Sequence, residues 1–443
     1  MKCVDMVWNW NVARSLAAAG LSLACSASAQ RSFNLSVAPT NGNAVAVRWK
    51  TQSATPAGDT VIVPQFQVER SADLKTWIPV SGMISNAVGQ TNVFTDTAAD
   101  GGFYRVASII QMPYAQLSHA KLDRGELQFA DFLGANLFGA SFNSANLRHA
   151  RLVAAELRSA NLTGADLTEA DLFGVDAFTT TFDSSSLAGV DATFGDFESA
   201  SLFDVDLTGA DFSFAVLAGA DLDFVDFTGV VLDAHTIIDP KPQLVWQIVN
   251  FGAANAILTN RDLSTARFSR ANFNGANLKG SDFTFSFLDD ADLRGANFSN
   301  AVMTLVTFTG ALMDSSTVID GKSRLAWMIV NQDFAVGRDL HGTNLSLIDC
   351  SGGNFTGAIL SNAVCTTSAF ANANFGGADL SKANCSGSFF FQASLTNANL
   401  TLANFNSTDL SGASLFHALT NGATFFGATF TNTVMPDGSI RNF

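Results

Sequence analysis

The chain has 443 residues, 47% of them hydrophobic, with 24 Lys and Arg against 39 Asp and Glu. So apolar a composition excludes a disordered chain, and a formal net charge of −15 gives no ground to expect a nucleic-acid partner. Phe occurs 39 times and Tyr only 2, which marks Phe as buried filler rather than an amphipathic surface residue.

The N-terminus reads as an export leader over residues 1–29. Lys2 and Arg14 supply positive charge, Leu16 to Ala24 form a short apolar stretch, and Ala27-Ser28-Ala29 fits an A-x-A cleavage site, which places the mature start at Gln30. The alternative is an ordinary buried helix. Ser22-Leu23-Ala24 is a poor lipid-attachment motif for Cys25. No later stretch reaches the roughly 18 uninterrupted apolar residues of a membrane span. The expectation is an exported protein: periplasmic, cell-surface or secreted.

Residues 30–112 read as strands. Ala44 to Trp49, Gln65 to Arg70 and Phe103 to Val106 alternate in character, and the linking segments are rich in Gly, Ser, Thr and Asn. Short strands at this spacing predict a small β-sandwich. The run Val68 to Trp77, with Phe94-Thr95-Asp96 and Phe103 to Val106 after it, resembles the fibronectin type III-like modules of bacterial secreted proteins. That resemblance implies a fold and says little of function.

A different rule begins at Leu117. Every fifth residue to Ile237 is apolar, 25 positions of which 23 are Leu, Phe or Ile; the exceptions are Ala177 and Ala192. Two residues before each stands a small one, and His235 alone breaks that column. The pattern divides into repeat blocks over 115–237, 258–318 and 340–435. Period five suits neither common element. At 100° per residue it smears the apolar positions around a helix, and on one strand an odd period alternates faces. It works when each unit is a short extended bridge followed by a turn, with the large and the small residue both inward and successive units winding a coil.

The recurring unit of Ala, Asp or Asn, Leu or Phe and two variable residues, as in Ala165 to Glu169, closely resembles pentapeptide-repeat proteins. The resemblance implies an all-β chain: a right-handed quadrilateral parallel β-helix of twenty residues per coil, with coils about 4.8 Å apart. Some members of that family are acidic, mimic DNA and protect gyrase from quinolones. An export leader argues against that role here.

Two segments, 238–257 and 319–339, break the repeat and copy each other at an offset of 81 residues: Leu244 to Asn250 matches Leu325 to Asn331. Each is predicted to hold a short helix, starting near Pro242 or Ser323 and ending before Gly252 or Gly337. Trp246 and Trp327 are either packing braces or the anchors of a protruding platform. The tail 436–443 is expected to cap the last coil; the other use of that end is a homodimer contact through Phe425, Phe430 or Phe443.

Charge is concentrated. Residues 159–236 hold 15 Asp or Glu and no Lys or Arg. Twenty-residue spacing stacks Asp171, Asp191 and Asp211 in one column, and like charges about 5 Å apart repel by roughly 1 kcal/mol in water. Either turn hydrogen bonds and screening offset this, or a shared Ca2+ ion does. Phe194 and Phe214 share an outward face and form a candidate contact patch; a local register slip beside Ala192 is the other explanation. Cys350, Cys365 and Cys385 take inward positions, and Cys365 and Cys385, one coil apart, lie within reach of a disulfide.

The five His are scattered, and no H-E-x-x-H, C-x-x-C, nucleophile elbow, P-loop or dinucleotide-binding motif occurs. The reading that results is an exported, non-catalytic scaffold or protein-binding rod with an acidic solenoid surface, its partner a protein or a glycan. A Ca2+-dependent adhesion or envelope-structural protein is the alternative.

Overall fold

The structure, a computed structural model, describes residues 112–442 in full; before them it describes the backbone of the strands alone. Those strands are β1 (Trp8–Asn9), β2 (Leu23–Ser26), β3 (Ser32–Pro39), β4 (Val45–Thr51), β5 (Gln65–Ser71), β6 (Ile78–Pro79), β7 (Ile84–Ser85), β8 (Thr91–Asp96) and β9 (Phe103–Ile109). They pair antiparallel in two sheets, ordered β2-β3-β4-β8 and β1-β9-β5-β6, with β7 also on β5. The three segments expected as strands are β4, β5 and β9. Strands β1 and β2 fall inside the predicted leader.

The chain divides into two compact units. The first comprises Met1–Ser201, Ala210–Leu217 and Leu232–Thr236, the second Leu202–Gly209, Ala218–Val231 and Ile237–Phe443. In both, the five-residue period becomes a right-handed β-helix. The residue before each core position bridges in parallel to its counterpart twenty residues on, as in Asp131↔Arg151 and Asn374↔Ser394. The core residue donates its N–H to the next coil (Leu147 to Asp166 O, 2.7 Å), and the following small residue closes the turn (Ala150 to Leu147 O, 2.9 Å). Two residues after the core position the backbone turns left-handed: φ is 65° at Gly164 and 60° at Phe194. Gly takes that conformation freely, whereas other residues take it at a cost. The repeat therefore tolerates many residue types there because the ladder on both sides fixes the turn.

The core is the two inward columns. Phe132, Phe142, Leu147 and Leu167 are fully buried, as are the small Ala130, Ala135 and Ala150. Ser286 and Thr180, at the small position, are satisfied internally, Ser286 Oγ donating to Leu263 O (2.6 Å) and Thr180 Oγ1 to Leu157 O (2.7 Å), whereas the buried Ser185 Oγ at the same position has no partner. Ala192 is fully buried and bonds Asp211 O (2.8 Å), while Phe194 N bonds Ser213 O (3.1 Å). The register therefore does not slip beside Phe194.

Both inserts hold helices, α1 (Pro240–Phe251) and α2 (Gly321–Gln332), each of 12 residues. They begin two residues before the positions expected. Gly252 caps α1, but α2 stops at Asp333 in the left-handed conformation (φ 48°), not at Gly337. The coil ladder closes past each helix: Phe224 N bonds Thr265 O (2.7 Å), and Leu305 N bonds Leu347 O (3.0 Å). On this side the helix is looped out, and residues about forty positions apart become ladder neighbours.

Ile237 and Val318, expected as core, are 56% and 49% exposed. One extra residue enters the turn before each. Asp314 Oδ1 accepts the N–H groups of Gly295, Ser316 and Thr317, and Asp233 Oδ1 accepts those of Phe214, His235 and Thr236. The widened turn moves the small inward position to Thr236 and Thr317, whose hydroxyls bond Phe212 O (3.0 Å) and Leu293 O (2.9 Å). His235 thus moves from the expected inward place to the turn, where it is exposed.

At the C-terminus, β10 (Thr433–Val434) pairs antiparallel with β11 (Ile440–Arg441). Phe430 is buried, so it is not open to a dimer contact; Phe443 lies outside the described residues.

Candidate functional site

The first unit carries a face that joins an acidic column to exposed aromatic rings. It starts from three repeats, Asp171-Leu172-Phe173, Asp191-Ala192-Thr193-Phe194 and Asp211-Phe212-Ser213-Phe214, whose central residues are buried. The parallel bridges Asp171↔Asp191↔Asp211 set the acids in one column. The aromatic rings form a second column beside it. Phe194 and Phe214 stack with centroids 4.7 Å apart and planes at 13°, and Phe214 stacks on His235 at 4.6 Å and 12°. Phe173 meets Phe194 edge-on at 5.5 Å. Phe173, Phe194 and Phe214 are 43%, 54% and 42% exposed. The widened turn at Asp233 is what brings His235 into this column, with Nδ1 3.0 Å from Asp233 Oδ2.

Each acid of the column serves its own turn: Oδ1 accepts the N–H two residues on, from Phe173 (3.2 Å), Thr193 (3.0 Å) and Ser213 (2.9 Å). This is the side-chain turn mimicry expected of Asp. Among the described residues, no group of three or more His, Cys, Asp or Glu is arranged to hold a metal ion. The Ca2+ ladder at Asp171, Asp191 and Asp211 therefore finds no support in the geometry: the acids stack, but their oxygens turn to the backbone rather than converge.

Some basic residues reach an acid one coil on. Arg148 meets Asp166 at 3.3 Å and Arg158 meets Asp176 at 2.5 Å. Among the described residues no ion pair reaches Asp171, Asp191 or Asp211; Arg151, which bridges in parallel to Asp171, turns instead to Asp131 at 3.7 Å.

The two Trp candidates are braces. Trp327 is 9% exposed and donates Nε1 to Ala311 O (2.7 Å); Trp246 is half-buried and donates to Val230 O (2.8 Å). Four residues on, Asn331 and Asn250 complete the clamp. Asn331 Nδ2 donates to Phe308 O (2.8 Å) while Oδ1 accepts from Gly310 N (2.7 Å); Asn250 makes the same pair of bonds with Phe227 and Gly229. The platform reading fails for Trp327 because its indole is spent inside the molecule. Cavities of about 220 and 230 Å3 at the starts of α2 and α1 match in position. Their lysines are already engaged, Lys322 with Ser346 O (2.8 Å) and Lys241 with Asp223 (3.2 Å).

Cys350, Cys365 and Cys385 are buried free thiols. Cys365 and Cys385 are neighbours without being a disulfide: a hydrogen bond with Cys365, and then burial, push the Cys385 thiol well above the usual thiol range. No helix among the described residues is long and apolar enough to cross a membrane.

Compared with known proteins, the chain matches the family model for pentapeptide repeats in eight copies, over residues 115–152, 140–176, 196–233, 253–284, 286–314, 348–387, 358–397 and 379–419. No curated protein matches it. Among solved structures it is similar to HetL of the cyanobacterium Nostoc sp. strain PCC 7120, described as involved in heterocyst differentiation regulation. That match has 22% identity, covers 74% of this chain and 94% of that one, and has a TM-score of 0.22. A pentapeptide repeat protein of the Arabidopsis thaliana thylakoid lumen matches at 27% identity over 25% of this chain and 74% of its own, TM-score 0.20. One from the cyanobacterium Cyanothece 51142 matches at 18% over 30% and 91%, TM-score 0.14. The repeat matches span more than half of the sequence, and on them the chain belongs to the pentapeptide-repeat family.

Proposed function

We propose that this protein is an exported, non-catalytic scaffold whose acidic coils form a protein-binding surface, with its N-terminal strands making a fibronectin type III-like module. The observation that carries the reading is the face of the first unit. Three acids without a basic partner lie beside exposed aromatic rings, within a stretch of 15 acidic residues and no Lys or Arg. Unneutralised charge is costly to stack, and exposed apolar patches rimmed by polar groups mark interaction sites. Lys2, Arg14, Leu16 to Ala24 and Ala27-Ser28-Ala29 support export. The filled core supports a binding role over catalysis, since catalytic clefts need room for a substrate among convergent polar groups.

The test is a pull-down from envelope and secreted fractions, using the full protein and a variant with Asp171, Asp191 and Asp211 replaced by Asn. A partner held by the wild type, released by salt and lost with the variant is the expected result. A partner held equally by both baits would place binding elsewhere.

A further inference from the structure

Two Asn-Gly pairs lie among the described residues, Asn274-Gly275 and Asn421-Gly422. Each takes the same two places in its turn: Asn follows the core position, and Gly adopts the left-handed conformation, with φ of 67° and 68°. Each is followed by Ala, so the two sites share their local sequence. Such a pair brings a nucleophile to an electrophile. Glycine has no Cβ, so little hinders its backbone nitrogen from approaching the side-chain carbonyl of the preceding Asn.

The fold holds the two pairs differently. Gly275 donates its N–H to Arg294 O, nineteen residues on, at 2.9 Å. Asn274 donates its N–H to Asn272 Oδ1 at 3.0 Å, and its side chain bonds the Asp292 carboxylate. Both reacting groups are tied. At the second pair, Arg441 stands nineteen residues after Gly422, but it is paired with Thr433 in the hairpin of β10 and β11. Leu419 takes the place of Asn272 and has no side-chain oxygen to brace the turn. Among the described residues, nothing bonds the Gly422 N–H or the Asn421 side chain, and both residues are exposed. The turn is held by Ala423 N to Thr420 O (3.1 Å) and by Leu402 N to Asn421 O (2.9 Å).

We infer that Asn421 is a site of spontaneous modification, where the Gly422 nitrogen attacks the Asn421 side-chain carbonyl carbon and the residue deamidates. The bond from Gly422 N to Asn421 Cγ forms, the Cγ–Nδ2 bond breaks, and ammonia leaves with the proton of the Gly422 N–H. Water then opens the cyclic imide. Opening at Cγ gives Asp. Opening at the backbone carbonyl gives isoaspartate, whose main chain runs on through Cβ and Cγ. Either product adds a carboxylate to this turn. Isoaspartate also lengthens the turn and makes the carbonyl that Leu402 uses into that carboxylate.

The experiment is incubation of the full-length protein at mildly alkaline pH, which favours loss of the amide proton, with peptide mapping by mass spectrometry at intervals. Asn421 is expected to convert at least about tenfold faster than Asn274, whose hydrogen bonds must open first. In denaturant the ladder is gone, and the two sites should convert at similar rates. Asn421→Gln, whose longer side chain disfavours the ring, should keep the wild-type circular dichroism, stop the reaction at 421 and leave Asn274 unchanged. Conversion at Asn274 as fast as at Asn421 in the folded protein would overturn the inference. So would an Asn421 that converts only in denaturant or not at all. A gap between the sites that persists in denaturant would also overturn it, because the ladder would then not be its cause.

Discussion

Single carboxylates do different work in this fold according to what surrounds them. Asp314 organises a widened turn: the Ser316 hydroxyl foremost, with three backbone N–H groups beside it and against the pull of burial, brings its carboxyl down to about 2. A carboxyl lowered on folding stabilises above its unfolded range and loses that contribution as pH falls through the folded value. Asp314→Ala should therefore lower the melting temperature near neutral pH, and the gap should close as pH approaches 2; a gap independent of pH would contradict the assignment. Asp349 runs the other way. Burial pushes its carboxyl up, so the folded state holds the proton to higher pH, and ionisation costs stability as pH rises past the usual carboxylate range. Asp349→Asn, which can still accept the Ser351 N–H bond (2.8 Å), should raise the melting temperature near neutral pH and leave it unchanged in acid. For the stacked Asp171, Asp191 and Asp211, melting curves in Ca2+ and in chelator should coincide. A Ca2+-dependent rise abolished by Asp191→Asn would restore the cation ladder that their backbone bonds argue against.

At the scale of elements, the inserts depend on a Trp and an Asn one helical turn apart. Replacing Trp327 by Phe leaves the buried Ala311 carbonyl without its donor, at about 1–3 kcal/mol. Asn331→Ala frees two backbone groups and should cost at least as much, read as a fall in denaturation midpoint. Two variants at wild-type stability would mean that α2 is not clamped. The repeat was legible in the sequence because period five admits one solution, inward Leu or Phe with a small residue two before. The turn before each helix was not. Ile237-Ile238 and Val318-Ile319 put apolar residues in both registers, so a one-residue insertion leaves no gap in the pattern, and only the carboxylates of Asp233 and Asp314 reveal it. The Trp pair was visible as a repeat, but residue identity does not decide between a protruding indole and one whose N–H is spent on a carbonyl. Phe194 and Phe214 were placed on one face by their twenty-residue spacing, while His235 was missed because the hidden insertion moved it into their column.

Across the whole molecule, charge is segregated by sequence: residues 115–236 carry 5 basic and 19 acidic side chains, whereas 237–443 carry 11 and 14. The proposed export adds a plain expectation, that mass spectrometry of the protein from its native source finds the N-terminus at Gln30; retained Met1 would place the protein inside the cell and remove the premise. The central claim is that the acidic aromatic face of the first unit binds protein. Carboxylate-to-amine crosslinking of the protein in its native envelope and secreted fractions, followed by mapping of the linked residues, tests it most directly. The account predicts that a partner's crosslinks fall on acids within 159–236, centred on Asp171, Asp191 and Asp211, and disappear in a Phe194→Asn, Phe214→Asn variant. Crosslinks that fall instead on residues 30–112, or that persist unchanged in that variant, would contradict it.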